Sequence, residues 1–137
     1  SKLLLDRISK ILKTKIKNKK ISFLGVTFKA NTDDMRESSS LVMIPSLAKK
    51  GAKIRYYDPS GYKKEFKKFK NVSYSKTIKS CCDDSDLIII HTEWNDFKSL
   101  NLKSLSKKRN VIIYDMRNIL PVDKIRKEKI SYFGIGR

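Results

Sequence analysis

The polar residues of this sequence that could do chemistry concentrate in four stretches, each directly after a short apolar run. They are residues 27–37, 58–61, 92–96 and 115–118. The first holds Lys29, Asp33, Asp34, Arg36 and Glu37, the third Glu93 and Trp94, and the fourth Asp115 and Arg117. If the apolar runs are parallel strands, all four stretches emerge on one edge of the sheet, where ligands of open α/β sheets bind. Lys29 and Arg117 then share that edge. Two cations so placed could grip a diphosphate, Arg117 through its planar fork, with Phe28 lying against a base or sugar. Spacing alone leaves a second reading open, in which Lys29 and Arg117 pair with Asp33, Asp34 or Glu37.

Other chemistries find little support. Gly25-Val-Thr-Phe supplies one glycine where a dinucleotide fingerprint needs three, so backbone is not free to approach a pyrophosphate there. Asp58 stands where a ribose-binding acid would, but before Pro59 and without those glycines it reads as a turn residue. Cys81 and Cys82 are adjacent, which disfavours a disulfide between them. They precede a strand, on the wrong edge for catalysis, and Asp83, Asp84 and Asp86 oppose thiolate formation. Both read as structural. His91 is the lone histidine and ends a strand, which suits packing better than catalysis. Trp94 reads as a partly buried anchor. There is no Ser/His/Asp set, no CxxC and too few ligands for a zinc site.

Six apolar runs must position these loops. ISFLGV (21–26), KIRYY (53–57), VSY (72–74), LIIIH (87–91), VIIY (111–114) and ISYF (130–133) read as strands. Helical signals lie between them. Leu5, Ile8, Leu12 and Ile16 recur at spacings of three and four and predict a helix over 2–17. Ser38–Ser40 offer N-cap hydroxyls for a helix over about 39–50 that contains Pro45 and ends at Gly51. Shorter helices are predicted at 62–69, 77–82 and 102–107, and one from Pro121 to about Lys127. Strands that are apolar along their whole length imply a sheet covered on both faces. The expected fold is a doubly wound, mainly parallel α/β sheet of Rossmann-like type, preceded by an N-terminal helix.

The chain has 137 residues, 39% of them hydrophobic, which suffices for one compact domain. The net charge of +18 raises the possibility of a nucleic-acid-binding module. Lysine outnumbers arginine and is scattered through every segment, and no RNP, helix-turn-helix or zinc-finger pattern accompanies it, which favours a plain lysine-rich composition. No apolar run approaches the roughly 18 residues needed to cross a bilayer, and residues 3–5 are too short for a signal-peptide core. A cytoplasmic protein without membrane contact is expected. A start at Ser1 points to a fragment or a processed chain.

Residues 25–38, GVTFKANTDDMRES, resemble the G-x-x-F-K-x-x-T-D-D-x-R-E-S signature of the UDP-glucose/GDP-mannose dehydrogenase family. Three further pieces agree in order: G-A through Y-D-P at 51–59, T-E-W-x-x-F at 92–97 and D-x-R-N at 115–118. The resemblance spans about residues 20–134, and T-E-W-x-x-F leans toward the UDP-glucose branch. It implies the C-terminal, UDP-sugar-binding domain (19–137) of an NAD-dependent oxidoreductase, with residues 1–18 ending a central inter-domain helix. The implied reaction takes UDP-glucose to UDP-glucuronate in two oxidations with NAD, through a catalytic cysteine. GDP-mannose and UDP-N-acetylhexosamines are the alternative substrates. Phe28, Lys29 and Arg117 would contact the nucleotide sugar, Arg36 would face the NAD side, and Thr32, Asp33, Asp34 and Glu37 would shape the loop. NAD itself would be held by an N-terminal domain that these residues lack, as they lack the catalytic-cysteine segment. The implied partners are those domains and, in the full-length form, a second copy in a homodimer. The residues alone are expected to be inactive. Met116 departs from the glycine common at that place, which puts the Arg117 loop in question.

Overall fold

The protein is described by a computed structural model that covers residues 2–136. The chain runs α1 (Lys2–Leu12), β1 (Lys20–Leu24), α2 (Ser40–Lys49), β2 (Lys53–Tyr57), β3 (Val72–Tyr74), α3 (Ile78–Cys82), β4 (Leu87–Ile90), β5 (Ile112–Asp115), α4 (Val122–Glu128) and β6 (Ser131–Phe133). Short 3-10 turns stand at Lys64–Phe66, Asn95–Phe97 and Leu102–Ser104. The six strands form one sheet in the order β3-β2-β1-β4-β5-β6, and every pairing is parallel. The doubly wound Rossmann-like sheet expected from the apolar runs is present, and it is entirely rather than mainly parallel.

Successive residues of each central strand go to opposite faces, which is why these strands must be apolar throughout. Ile21 and Phe23 of β1 and Leu87 and Ile89 of β4 pack with Ile8 and Ile11 of α1 and Met43, Ile44 and Leu47 of α2. Leu24, Ile88, Ile90 and Ile113 face the other way, against Cys81 and Cys82 of α3, Trp94, Phe97, Leu102 and Leu120.

Three helical expectations need correction. The N-terminal helix stops at Leu12 rather than running to 17, because Lys13 turns left-handed (φ 58°). Ile16 keeps its place in the core through a separate turn, closed by Lys19 N–H on the Ile16 carbonyl. The stretches 62–69 and 102–107 contribute only 3-10 turns, each anchored by a buried apolar side chain, Phe66 or Leu102. The exit of α2 follows its glycine signal. Gly51 adopts φ 90° and donates to Ala48 O, and Ala52 donates to Leu47 O, the paired bonds of a Schellman stop.

Candidate functional site

The strand order reverses at β1 and β4, and a crevice opens beyond the carboxyl ends of strands at such a switch point. Here the chain leaves β1 through Gly25. Its φ of 80° and the closeness of β4 both demand glycine: a Cβ at this position would lie 2.5 Å from Thr92 Cβ. Thr92 is held against the same loop, donating its hydroxyl to Thr27 O at 2.9 Å. From the other side Asp58, buried at the end of β2, accepts from Val26 N–H (2.8 Å) and Thr27 N–H (3.3 Å) through Oδ2, and from Ser60 through Oδ1. Asp58 is thus the turn residue expected. Its carboxylate is engaged by the loop, which leaves it no capacity for a ribose.

The loop between β1 and α2 is braced internally. Phe28 N–H donates to Asp34 O, Asp34 N–H to Thr32 Oγ1, and Thr27 Oγ1 to Lys29 O. Arg36 grips Asp34 with Nε and Nη2, both at 3.1 Å, and this pair holds the Asp34 carboxyl below its usual range. The three serines at the head of α2 do not act as expected. Ser39 is the N-cap but makes no side-chain cap bond. Ser38 and Ser40 instead donate their hydroxyls to Val26 O, both at 2.6 Å, which fixes the return of the loop to β1.

Ser39 turns to His91. Its Oγ lies 2.8 Å from His91 Nε2, while His91 Nδ1 lies 3.0 Å from Thr92 Oγ1. Thr92 already spends its hydrogen on Thr27 O, so it must accept from Nδ1–H, and Nε2 must accept from Ser39. The ring is therefore neutral. Burial, then the nearby charge of Arg117, pulls its pKa down to about 4. His91 is packed, as its position at a strand end suggested, but it also ties the β4 end to α2. No pattern in the sequence pointed to that second role.

Arg117 comes to the same place from β5. Its Nε donates to His91 O at 2.9 Å and its Nη2 reaches Phe28 O at 3.5 Å. Lys29 is exposed, and its ammonium makes no hydrogen bond or ion pair within the fold among the described residues. Phe28 beside it is 46% exposed. Of the expected site residues, the fold brings Phe28, Lys29 and Arg117 together and leaves Arg36 further along the same loop. The alternative in which Lys29 and Arg117 pair with Asp33, Asp34 or Glu37 is not what forms: Asp34 takes Arg36, and Arg117 rests on two carbonyls. Met116 does not strain its loop. It lies outside the left-handed region, donates its N–H to Ile90 O, and packs against the core.

Among the described residues, no hydrogen bond joins the remaining candidates to Lys29 or Arg117. Cys81 and Cys82 are free and buried at the amino end of β4. A hydrogen bond from Cys81 and burial push the Cys82 thiol well above its ordinary pKa. Cys82 is therefore held as the thiol, and Cys81 beside it is sealed in the core, out of reach of a substrate. Trp94 is more buried than expected, 8% exposed, and its indole N–H meets no acceptor within the fold. No helix among the described residues is long and apolar enough to cross a membrane.

Residues 22–122 match the family model for the UDP-binding domain of the UDP-glucose/GDP-mannose dehydrogenase family. A UDP-glucose 6-dehydrogenase of Rickettsia bellii is 37% identical over 98% of this chain, and one of Rhizobium meliloti is 35% identical over 89%. The chain spans about a third of the length of these curated relatives, 32% and 28%. Among solved structures, an NDP-N-acetyl-D-galactosaminuronic acid dehydrogenase of Methanosarcina mazei superposes with a TM-score of 0.79 at 27% identity, covering 98% of this chain and 28% of its own. A UDP-glucose dehydrogenase of Pyrobaculum islandicum gives 0.74 at 27% identity, covering 96% and 28%.

Proposed function

Since the chain belongs to the UDP-glucose/GDP-mannose dehydrogenase family and carries its UDP-binding domain, we propose that Lys29 and Arg117 hold the diphosphate of a UDP-sugar. The observation that carries this reading is that both cations stand at the switch-point edge without a carboxylate partner. An incoming diphosphate then meets charge that the fold has not already neutralised. Phe28, exposed between them, offers a face to the base or sugar. Within a longer protein the substrate is UDP-glucose, oxidised to UDP-glucuronate in two NAD-dependent steps. The T-E-W-x-x-F segment and the Rickettsia and Rhizobium relatives support that sugar. The Methanosarcina neighbour favours an N-acetylhexosamine as the second reading, and GDP-mannose is the third.

NAD does not fit this sheet. One glycine stands where three are needed, and the acid at the end of β2 is saturated by Val26, Thr27 and Ser60. The cofactor belongs to a separate domain, with Arg36 facing it across the cleft and α1 continuing the helix that joins the two. Full-length forms act as homodimers in the cytoplasm. With both cysteines buried, residues 1–137 alone bind but do not turn over UDP-glucose.

Calorimetric titration with UDP, UDP-glucose and GDP tests this. Uridine ligands bind in preference to GDP, and Lys29→Ala and Arg117→Ala each weaken them by about tenfold or more. Preference for GDP would move the substrate to GDP-mannose. Binding indifferent to both substitutions, steeply salt-dependent and shared by nucleic acid would overturn the proposal.

A further inference from the structure

The end of the chain reaches back to the turn that carries Arg117, and it does so at two points. Asp115, fully buried at the end of β5, accepts from Arg117 N–H (3.2 Å) through Oδ1. Through Oδ2 it accepts from Leu120 N–H and from the Tyr132 hydroxyl of β6, both at 3.0 Å. Asn118 makes the second tie. Its Nδ2 donates to Ile135 O at 2.7 Å, and its Oδ1 accepts from Ile135 N–H at 2.8 Å. One side-chain amide thus pairs both ways with the peptide groups of a single residue, as a neighbouring strand would. Asn118 does this from a left-handed backbone, φ 53°, which asparagine tolerates better than most residues.

The tie has a direction. Residues 115–118 leave β5 at the edge of the crevice, and Arg117 must turn from there to reach His91 O and Phe28 O, contributed by two other loops. Asp115 fixes the start of the turn and Asn118 fixes its far side. The second tie acts at the left-handed residue itself, next to Arg117, where the bonds of Asp115 to residues 117 and 120 do not reach. The partner of Asn118 lies at residue 135, beyond the 22–122 span that defines the family match.

We infer that Asn118 is a positioning residue, latching the 115–118 turn to the Ile135 backbone so that Arg117 is presented over the Phe28–Lys29 loop to the diphosphate. The inference rests on the UDP-sugar reading for its ligand but not for its geometry, and the two are tested separately. Asn118→Gly keeps the left-handed backbone at no steric cost and removes both latch bonds. Asn118→Asp keeps the side-chain size but replaces the donor to Ile135 O with a second acceptor.

The first readout needs no ligand. In the wild type the Arg117 Nε–H, held by His91 O, gives a protected side-chain signal in 15N NMR. In both variants its exchange with water speeds several-fold, while the dispersed backbone spectrum shows that the chain is folded. The second readout is UDP affinity in Asn118→Gly, Arg117→Ala and the double variant. Asn118→Gly weakens binding about tenfold, the loss expected when a pair of hydrogen bonds no longer holds a charged contact in place. The double variant is no weaker than Arg117→Ala alone, because the latch acts only through the arginine. Unchanged Arg117 Nε–H exchange in both variants would overturn the inference. So would an Asn118→Gly loss of the same size with and without Arg117. A wild-type chain that binds no UDP would instead sink the ligand reading, and the exchange measurement would still decide the latch.

Discussion

The two edges of the sheet treat their cations in opposite ways. At the amino edge, each acid before β4 is paired with a cation. Asp84 takes Lys20 and Arg55, Asp86 takes Lys108, and Asp83 takes Lys79 and Lys107. At the carboxyl edge, Arg117 is steered by backbone carbonyls and Lys29 makes no ion pair. Among the described residues, the one ion pair there is Arg36–Asp34, a flank of the loop. A basic chain therefore does not have a uniform surface. At the amino edge the acids find cations within the fold, and at the carboxyl edge Arg117 and Lys29 stand without a carboxylate partner. A net charge of +18 says nothing of this difference.

The sharpest way to break the carboxyl edge is at Gly25. Gly25→Ala forces a Cβ into Thr92 at a backbone angle that alanine rarely adopts, and destabilisation of roughly 3 kcal/mol is expected. Urea unfolding measures it; a loss below about 1 kcal/mol would mean that the two strand ends part easily. The next effect is a pH response confined to that edge. His91 is neutral when folded, with its pKa lowered from 6.5 to about 4, so the unfolded chain takes up a proton first as pH falls. Stability is full above about pH 6.5 and erodes toward pH 4, by on the order of 3 kcal/mol. His91→Gln flattens that window. The amino edge responds lower. Hydrogen bonds from Lys20, then Arg55, hold Asp84 at about 2 against an ordinary 3.8, so its contribution is present above pH 3.8 and lost as pH falls through 2. Denaturant midpoints across pH 2–7 in wild type, His91→Gln and Asp84→Asn separate the two.

Smaller still is the exchange of roles between edges. Asp84→Asn costs about 1 kcal/mol at most, because the Asp84 carboxylate is more than a third open to solvent screening. It leaves UDP affinity unchanged. Arg117→Ala does the reverse, losing ligand while shifting the melting temperature by only a few degrees. If Asp84→Asn weakened UDP binding, the separation of the edges would fail.

The sheet was legible because buried parallel strands must be apolar on both faces, and LIII at 87–90 permits little else. The loops that carry Lys29 and Arg117 followed from where such strands end. Short helices were less legible. One buried side chain, Phe66 or Leu102, satisfies a 3-10 turn as well as a helix. Ile16 keeps helical spacing although Lys13 has already broken the helix. The serines at 38–40 have the composition of a cap, yet Val26 O and His91 Nε2 compete successfully for their hydroxyls. Contacts such as Asn118 with Ile135 or His91 with Ser39 join residues far apart in sequence, and no local pattern encodes them.

The switch point also sets when the site can exist. Lys20 at the start of β1 meets Asp86 at the start of β4, 66 residues further along, so the central strands join only after the segment carrying β2 and β3 has been made. Closing so long a loop is entropically slow, and contacts of this separation form late in folding. The Gly25–Thr92 contact, and the crevice it closes, cannot form before residue 92 has been made. A ligand that needs both loops binds the finished topology and no earlier state, so it deepens the native minimum without rescuing a stalled chain.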